Sequence, residues 1–151
     1  MARGLHYDFE ASIGYYVVPA AHALERALNE ELAPLGVTVR QWQVLAWLIR
    51  DPELTQAGLA RRPHIEAPTL AGILHRMERD GWLKRVPCPE DKRCNRLVLQ
   101  PAVEPLWKKM AACGRRVRRR AMRGMTPEQF EAVKDALTLV RENVDKTEVK
   151  R

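Results

Sequence analysis

LTQAGLARRPHIEAPTLAGILHRMERDGWLKRVPCPEDKRCNRLVL, residues 54–99, is the stretch that decides the fold. Its first segment is short and amphipathic, with Thr55 as N-cap, Leu59 facing inward and an end near Arg61-Arg62-Pro63. After a tight break a longer segment begins near Glu66, with Pro68 in its first turn, where a missing N–H costs little. Leu70, Ile73, Leu74 and Met77 recur at helical spacing and form the expected buried stripe. Pro68, Thr69, Gly72, His75 and Arg76 fall on the opposite face. Asp80-Gly81 ends the helix with a left-handed cap. Trp82–Pro87 and Arg96–Gln100 are β-prone, and the polar CPEDKRCN between them predicts a hairpin with a charged tip. Two tandem helices followed by a hairpin describe a winged helix-turn-helix, a shape that seats its second helix in a DNA major groove.

The flanks are helical. Upstream, Ile13, Val17, Ala20, Leu24, Leu28 and Leu32 make one stripe from about Ser12, with a kink expected near Tyr15–Pro19 and a stop at Pro34 and Gly36. Thr38 then caps VRQWQVLAWLIR, whose expected apolar face is Trp42, Leu45, Leu48 and Ile49. Downstream, Pro101 opens a long helix with Val103, Leu106, Trp107, Met110, Cys113 and Val117 at helical spacing. Thr126-Pro127-Glu128-Gln129 is a capping box that starts a last helix, expected to bury Phe130, Val133, Leu137, Val140 and Val144. The fold class expected is therefore mainly α with a small β-hairpin, a winged helix-turn-helix plus flanking helices.

At 151 residues, with 46% apolar and 30% charged residues, the chain is one globular unit able to bury a core. Its formal charge of +7 is uneven: residues 1–53 carry −3, residues 54–100 +4, residues 101–125 +7 and residues 126–151 −1. Concentrated positive charge points to a polyanionic partner, with nucleic acid the default. No apolar run spans a bilayer and the N-terminus lacks a signal-peptide core, so no membrane contact and a cytoplasmic location are expected. Cys88, Cys94 and Cys113 are read as reduced thiols, although Cys88 and Cys94 flank the wing loop where a redox switch could act. Their spacing and the four scattered histidines fit no zinc pattern, so neither metal nor cofactor is expected. There is no Gly-rich phosphate loop, HExxH, nucleophile elbow or carboxylate pair beside a histidine, which argues against an enzyme.

Four segments resemble the MarR family of bacterial transcriptional regulators, most closely its SlyA-like branch. LAPLGVTVRQWQVL (32–45) is similar to the family's passage from helix 1 to helix 2, and LTQAGLAR (54–61) to its LTQxxLA segment. IEAPTLAGILHRMERDGWLKR (65–85) resembles the recognition helix and first strand, and CPEDKRCNRLVL (88–99) the wing with its D-x-R element, here Asp91-Lys92-Arg93. The resemblance implies an obligate homodimer on a pseudo-palindromic operator in double-stranded DNA. Residues 1–35 and 101–151 would supply the helical dimerisation region around a DNA-binding domain at 36–100. It also implies repression relieved by a small aromatic or phenolic ligand, with two alternatives: a thiol redox-responsive regulator, or a nucleoid-type anti-silencing protein. Two positions depart from the pattern. Gly72 stands where the family often has an arginine that reaches bases, and Gln100-Pro101 replaces a threonine cap.

Arg93, at a hairpin tip, suits a narrow minor groove, and Asp91 suits a brace that orients it. Thr69 can bond a phosphate or base edge, Pro68 can pack on a thymine methyl, and Arg76, with His75, lies a turn further along. Thr55 and Gln56 suit phosphate at the start of their helix, while Lys92 and Arg96 add charge. The run Arg115, Arg116, Arg118, Arg119, Arg120 and Arg123 is read as a solvated face paired across the dimer with Glu25, Glu30 and Glu31. Tyr16, His22 and Trp42 are the candidates for an aromatic ligand pocket.

Overall fold

The structure, a computed structural model, describes residues 6–62 and 67–146. Among them are six α-helices and one hairpin: α1 Ile13–Leu32, α2 Val39–Arg50, α3 Gln56–Ala60, α4 Ala67–Arg79, β1 Leu83–Pro87, β2 Asn95–Leu99, α5 Glu104–Ala121 and α6 Pro127–Asp145. This is the mainly helical, winged architecture that the pattern predicts. The break before the fourth helix, and its predicted start at Glu66, lie outside the described residues. The chain divides into two compact units, Met1–Val117 and Arg118–Arg151.

Local chemistry sets the element boundaries. Thr38 and Gln41 form a reciprocal capping box at α2, with the Thr38 hydroxyl accepting from Gln41 N–H at 3.2 Å and Gln41 Oε1 from Thr38 N–H at 2.9 Å. Thr55 caps α3 by accepting from Gly58 N–H at 3.0 Å. At the end of α4, Trp82 N–H reaches back to Met77 O at 2.9 Å and Gly81 N–H to Glu78 O at 3.1 Å. Gly81 makes this double closure with φ +77°, a region costly for a residue bearing a Cβ. The chain is thereby turned directly from α4 into β1.

β1 and β2 pair antiparallel, with Leu83 opposite Leu99 and Pro87 opposite Asn95. A third short contact joins them to the helix-turn-helix: Thr55 bridges Arg96, and Leu97 N–H donates to Leu54 O at 3.3 Å. Leu83 and Leu97 point inward beside Leu59, Leu70, Ile73, Leu74 and Met77, so the wing and the two helices share one core. Val44, Leu45 and Leu48 of α2 and Met110 of α5 complete it.

Several expectations are corrected. The buried face of α2 is Val39, Gln41, Val44, Leu45 and Leu48. Ile49 is 41% exposed, because Val44 and Leu48, one turn apart, set the inward direction. α1 contains Pro19 where the pattern placed it, and the ring removes the hydrogen bond an N–H there would have given Tyr15. Only Ala27 and Leu32 of α1 are buried, and Ile13 and Leu24 are exposed. The long helix predicted from Pro101 opens instead with a 3₁₀ turn, Pro101–Val103, before α5. The capping box at α6 forms as predicted, but α6 buries no residue: Phe130, Val133, Leu137 and Val144 are all exposed. Its apolar stripe has the right period, with Val140 half-buried and the other four positions exposed.

Candidate nucleic-acid interface

α4 is a two-faced helix. Leu70, Ile73, Leu74 and Met77 are buried, and Pro68, Thr69, Gly72, His75 and Arg76 are exposed. The buried set recurs at i, i+3, i+4 and i+7, so the exposed set forms one continuous strip along the opposite side. A Cβ built on Gly72 meets nothing within 4 Å, so the middle of this strip is open space.

The hairpin supplies the second surface. Asp91, Lys92 and Arg93 are all exposed at its tip. Asp91 Oδ1 accepts from the backbone N–H of Arg93 at 2.9 Å, and Asp91 O accepts from Cys94 N–H at 3.0 Å. The Asp91 side chain therefore braces Arg93 through its backbone N–H. The exposed guanidinium projects from a fixed turn.

Two expected phosphate ligands are engaged in holding the parts together. Gln56 Oε1 accepts from Arg85 Nε at 3.1 Å. Arg85 also pairs with Glu78 through its guanidinium, and its backbone N–H donates to Glu78 Oε1 at 3.2 Å. Arg85 thus ties α3, α4 and β1 at one half-buried point. Arg96 is half-buried and ion-paired with Glu53, so its charge is largely compensated. Thr55 is half-buried, with its hydroxyl committed to the α3 cap. Of the expected DNA contacts, the strip on α4 and the tip residues Lys92 and Arg93 are the ones left exposed and without a side-chain partner named above.

Sequence reasoning missed Arg85 and Glu78 as positioning residues. The signal available was an acid one turn before Asp80-Gly81 and a base just after it, which the chain reversal brings together. It also missed Arg62, whose guanidinium lies 4.7 Å from the Trp47 ring centroid and 3.4 Å from Asp51 Oδ2. That contact fastens the end of the α3 segment to the end of α2.

The remaining candidates separate. Tyr16 and His22 are exposed on α1, and the Tyr16 hydroxyl donates to Glu10 O at 3.2 Å. Trp42 is half-buried and stacks on Trp107 of α5, with centroids 6.4 Å apart and planes at 27°. Its Nε1 is buried without a hydrogen-bond partner among the described residues. In the arginine run, Arg116 pairs within the chain with Glu31 at 2.7 Å, and Glu25 pairs with Arg40 of α2 at 3.4 Å. Glu25 and Glu31, expected to pair across a dimer, thus have arginine partners within the chain. Cys88 and Cys94, expected as reduced thiols, form a disulfide across the base of the tip, because the hairpin register sets them opposite each other.

Residues 35–93 match the MarR family model. That span runs from the entry to α2 through the wing tip and ends at Arg93. The fold is the MarR-type winged helix. The crystal structure of the transcriptional regulator PA3341 superposes with a TM-score of 0.82 at 27% identity, over 89% of this chain and 99% of that one. A MarR transcriptional regulator from Methanosarcina mazei Go1 gives 0.78 at 19% identity, covering 89% and 97%. MarR from E. coli in its apo form gives 0.71 at 24% identity, covering 85% and 96%. No helix among the described residues is long and apolar enough to cross a membrane.

Proposed function

We propose that the chain is a MarR-family regulator of transcription that binds double-stranded DNA through α4 and the hairpin tip. The observation that carries this reading is the pairing, in one unit, of a polar strip on α4 over a fully apolar underside with an exposed, braced Arg93 at the wing. The strip (Pro68, Thr69, Gly72, His75 and Arg76) suits the major groove, and Lys92 and Arg93 suit the adjacent backbone and minor groove. Thr55, Gln56 and Arg96 act mainly by fixing the geometry between these surfaces, and the start of α3 at Thr55 and Gln56 suits phosphate.

The reading includes a homodimer, with residues 1–35 and 101–151 as the dimerisation region around a DNA-binding domain at 36–100. It is supported by exposed apolar side chains on α1 and α6, among them Ile13, Leu24, Val133 and Leu137. Placement in the SlyA-like branch rests on the four sequence segments quoted above. Repression released by a small aromatic or phenolic ligand is the corresponding mode of control. Its support is Trp42, whose buried Nε1 has no hydrogen-bond partner among the described residues and is a donor suited to an aryl carboxylate.

Footprinting the purified protein on the DNA upstream of its own coding sequence tests the reading. A protected pseudo-palindrome with half-sites about one helical turn apart is expected. Affinity for random duplex equal to that for the protected site would refute sequence-specific regulation and favour a nucleoid-type role. A panel of aryl acids added to the bound complex tests release.

A further inference from the structure

The wing tip carries a pair of cysteines that the DNA-binding reading leaves unused. Cys88 follows β1 and Cys94 precedes β2, and the ladder continues through them. Cys88 N–H donates to Cys94 O at 2.9 Å, one step beyond the Pro87–Asn95 pair. Their Cα atoms lie 5.3 Å apart, within the span a disulfide bridges without backbone movement, and their sulfurs are joined. Between them the chain has room only for Pro89, Glu90, Asp91, Lys92 and Arg93. The covalent link therefore closes the loop that presents the exposed tip charges, and it does so beside the two hydrogen bonds through which Asp91 sets the turn.

We propose that Cys88 and Cys94 are a redox-closed clip on the wing, and that their oxidation raises affinity for duplex DNA by holding Arg93 in its binding position. This rests on the DNA-binding reading above. The tip has little packing of its own: Val86, beside the Pro87–Asn95 end of the ladder, is 42% exposed, and residues 89–93 are all exposed. In the open dithiol form its order depends on a few solvent-exposed hydrogen bonds, and residues 89–93 must be ordered when DNA binds. In the clipped form much of that ordering is already complete. In a reducing compartment the pair rests as thiols, and a low-molecular-weight disulfide is the oxidant class that closes it. One cysteine thiolate attacks a sulfur of that disulfide, forming a mixed disulfide and expelling one thiolate. The second cysteine thiolate attacks the protein sulfur of the mixed disulfide, expelling the other. Two electrons pass from the cysteines to the small disulfide, and the two protons leave to solvent or to the expelled thiolates. Cys113 is buried and takes no part.

The test compares protein treated with oxidised glutathione against protein treated with dithiothreitol. The probe is a labelled duplex of about 30 base pairs selected by the oxidised protein from a random pool, long enough for two half-sites. Thiol titration in denaturant should count three free thiols before oxidation and one after, with a mass loss of two hydrogens. The oxidised form should bind about threefold to tenfold more tightly than the reduced form. The Cys88→Ser/Cys94→Ser double variant should bind like the reduced protein under both treatments. Arg93→Ala should be weak in both states and lose the difference between them. Equal affinity of oxidised and reduced wild type, with Arg93→Ala still weaker than both, would overturn the clip and leave the DNA-binding reading intact. Three free thiols after oxidation would overturn it as well. Failure of every form to retain any duplex from the pool would overturn both.

Discussion

Asp91 accepts a 2.9 Å hydrogen bond from the backbone N–H of Arg93, so an acid sits two residues from the exposed arginine and fixes the backbone from which its side chain projects. An acid facing a polyanion would ordinarily weaken binding. Here the carboxylate is spent on the turn, and its effect on affinity comes through geometry.

Arg93→Ala removes the tip charge and should weaken DNA binding by about tenfold, within the range of about 1–3 kcal/mol for a groove-inserted arginine. Asp91→Ala leaves Arg93 in place but frees its backbone, so a smaller loss is expected. The two effects should be less than additive, since both act through one side chain. Fluorescence anisotropy titrations of the single and double variants measure this. Tighter binding by Asp91→Ala would show that its charge outweighs its brace.

Glu78 and Arg85 are half-buried partners joining α4 to β1, with Gln56 of α3 as a third member. Glu78→Gln should destabilise the fold by about 1–2 kcal/mol, because it weakens two interactions and leaves a half-buried guanidinium poorly paired. Urea unfolding followed by circular dichroism measures the change. A midpoint equal to wild type would mean that solvent already satisfies Arg85.

Gly72 lies in the middle of α4, exposed, with open space where a side chain would stand. Gly72→Ala should stabilise the protein by about 0.5–1 kcal/mol through the lower helix propensity of glycine, raising the melting temperature by about 1–4 °C. Gly72→Arg should add one contact on the DNA-facing strip and steepen the dependence of log affinity on log salt by about one. Unchanged stability of Gly72→Ala, read by calorimetry, would show that the unfolded chain is affected equally.

The two-faced pattern of α4 was legible because a single helix decides it: four apolar positions at period 3.6 fix the inward side, and whatever faces away is exposed. The wing was legible for a similar reason, with β-prone runs flanking a turn-forming loop. The roles of Gln56 and Arg96 were not, because each depends on a partner elsewhere in the chain. Gln56 is held by Arg85, 29 positions away, and Arg96 by Glu53 on the loop between α2 and α3. Periodicity reports which side of a helix is apolar but not what covers it, which is why α6 has the predicted stripe and yet no buried residue among those described. That Cys88 and Cys94 stand opposite each other was not legible from compartment and count. Register decides it, and register follows from the hairpin setting Pro87 opposite Asn95.

Val133 and Leu137 sit one turn apart on α6, 45% and 41% exposed, on one apolar stripe. If a second copy covers them, replacing both with charged residues should separate the copies while leaving each chain folded. Val133→Glu/Leu137→Glu is therefore expected to shift the sedimentation mass from dimer to monomer with little change in far-ultraviolet circular dichroism. Glutamate is a good helix former and the positions are already open to solvent, so α6 itself should persist. DNA affinity should fall steeply with the dimer, because a lone chain engages one half-site and loses the gain from two linked contacts. A double variant that sediments as wild type and binds its footprinted site unchanged would remove α6 from the interface and leave α1, with Ile13 and Leu24 exposed, as the surface to test.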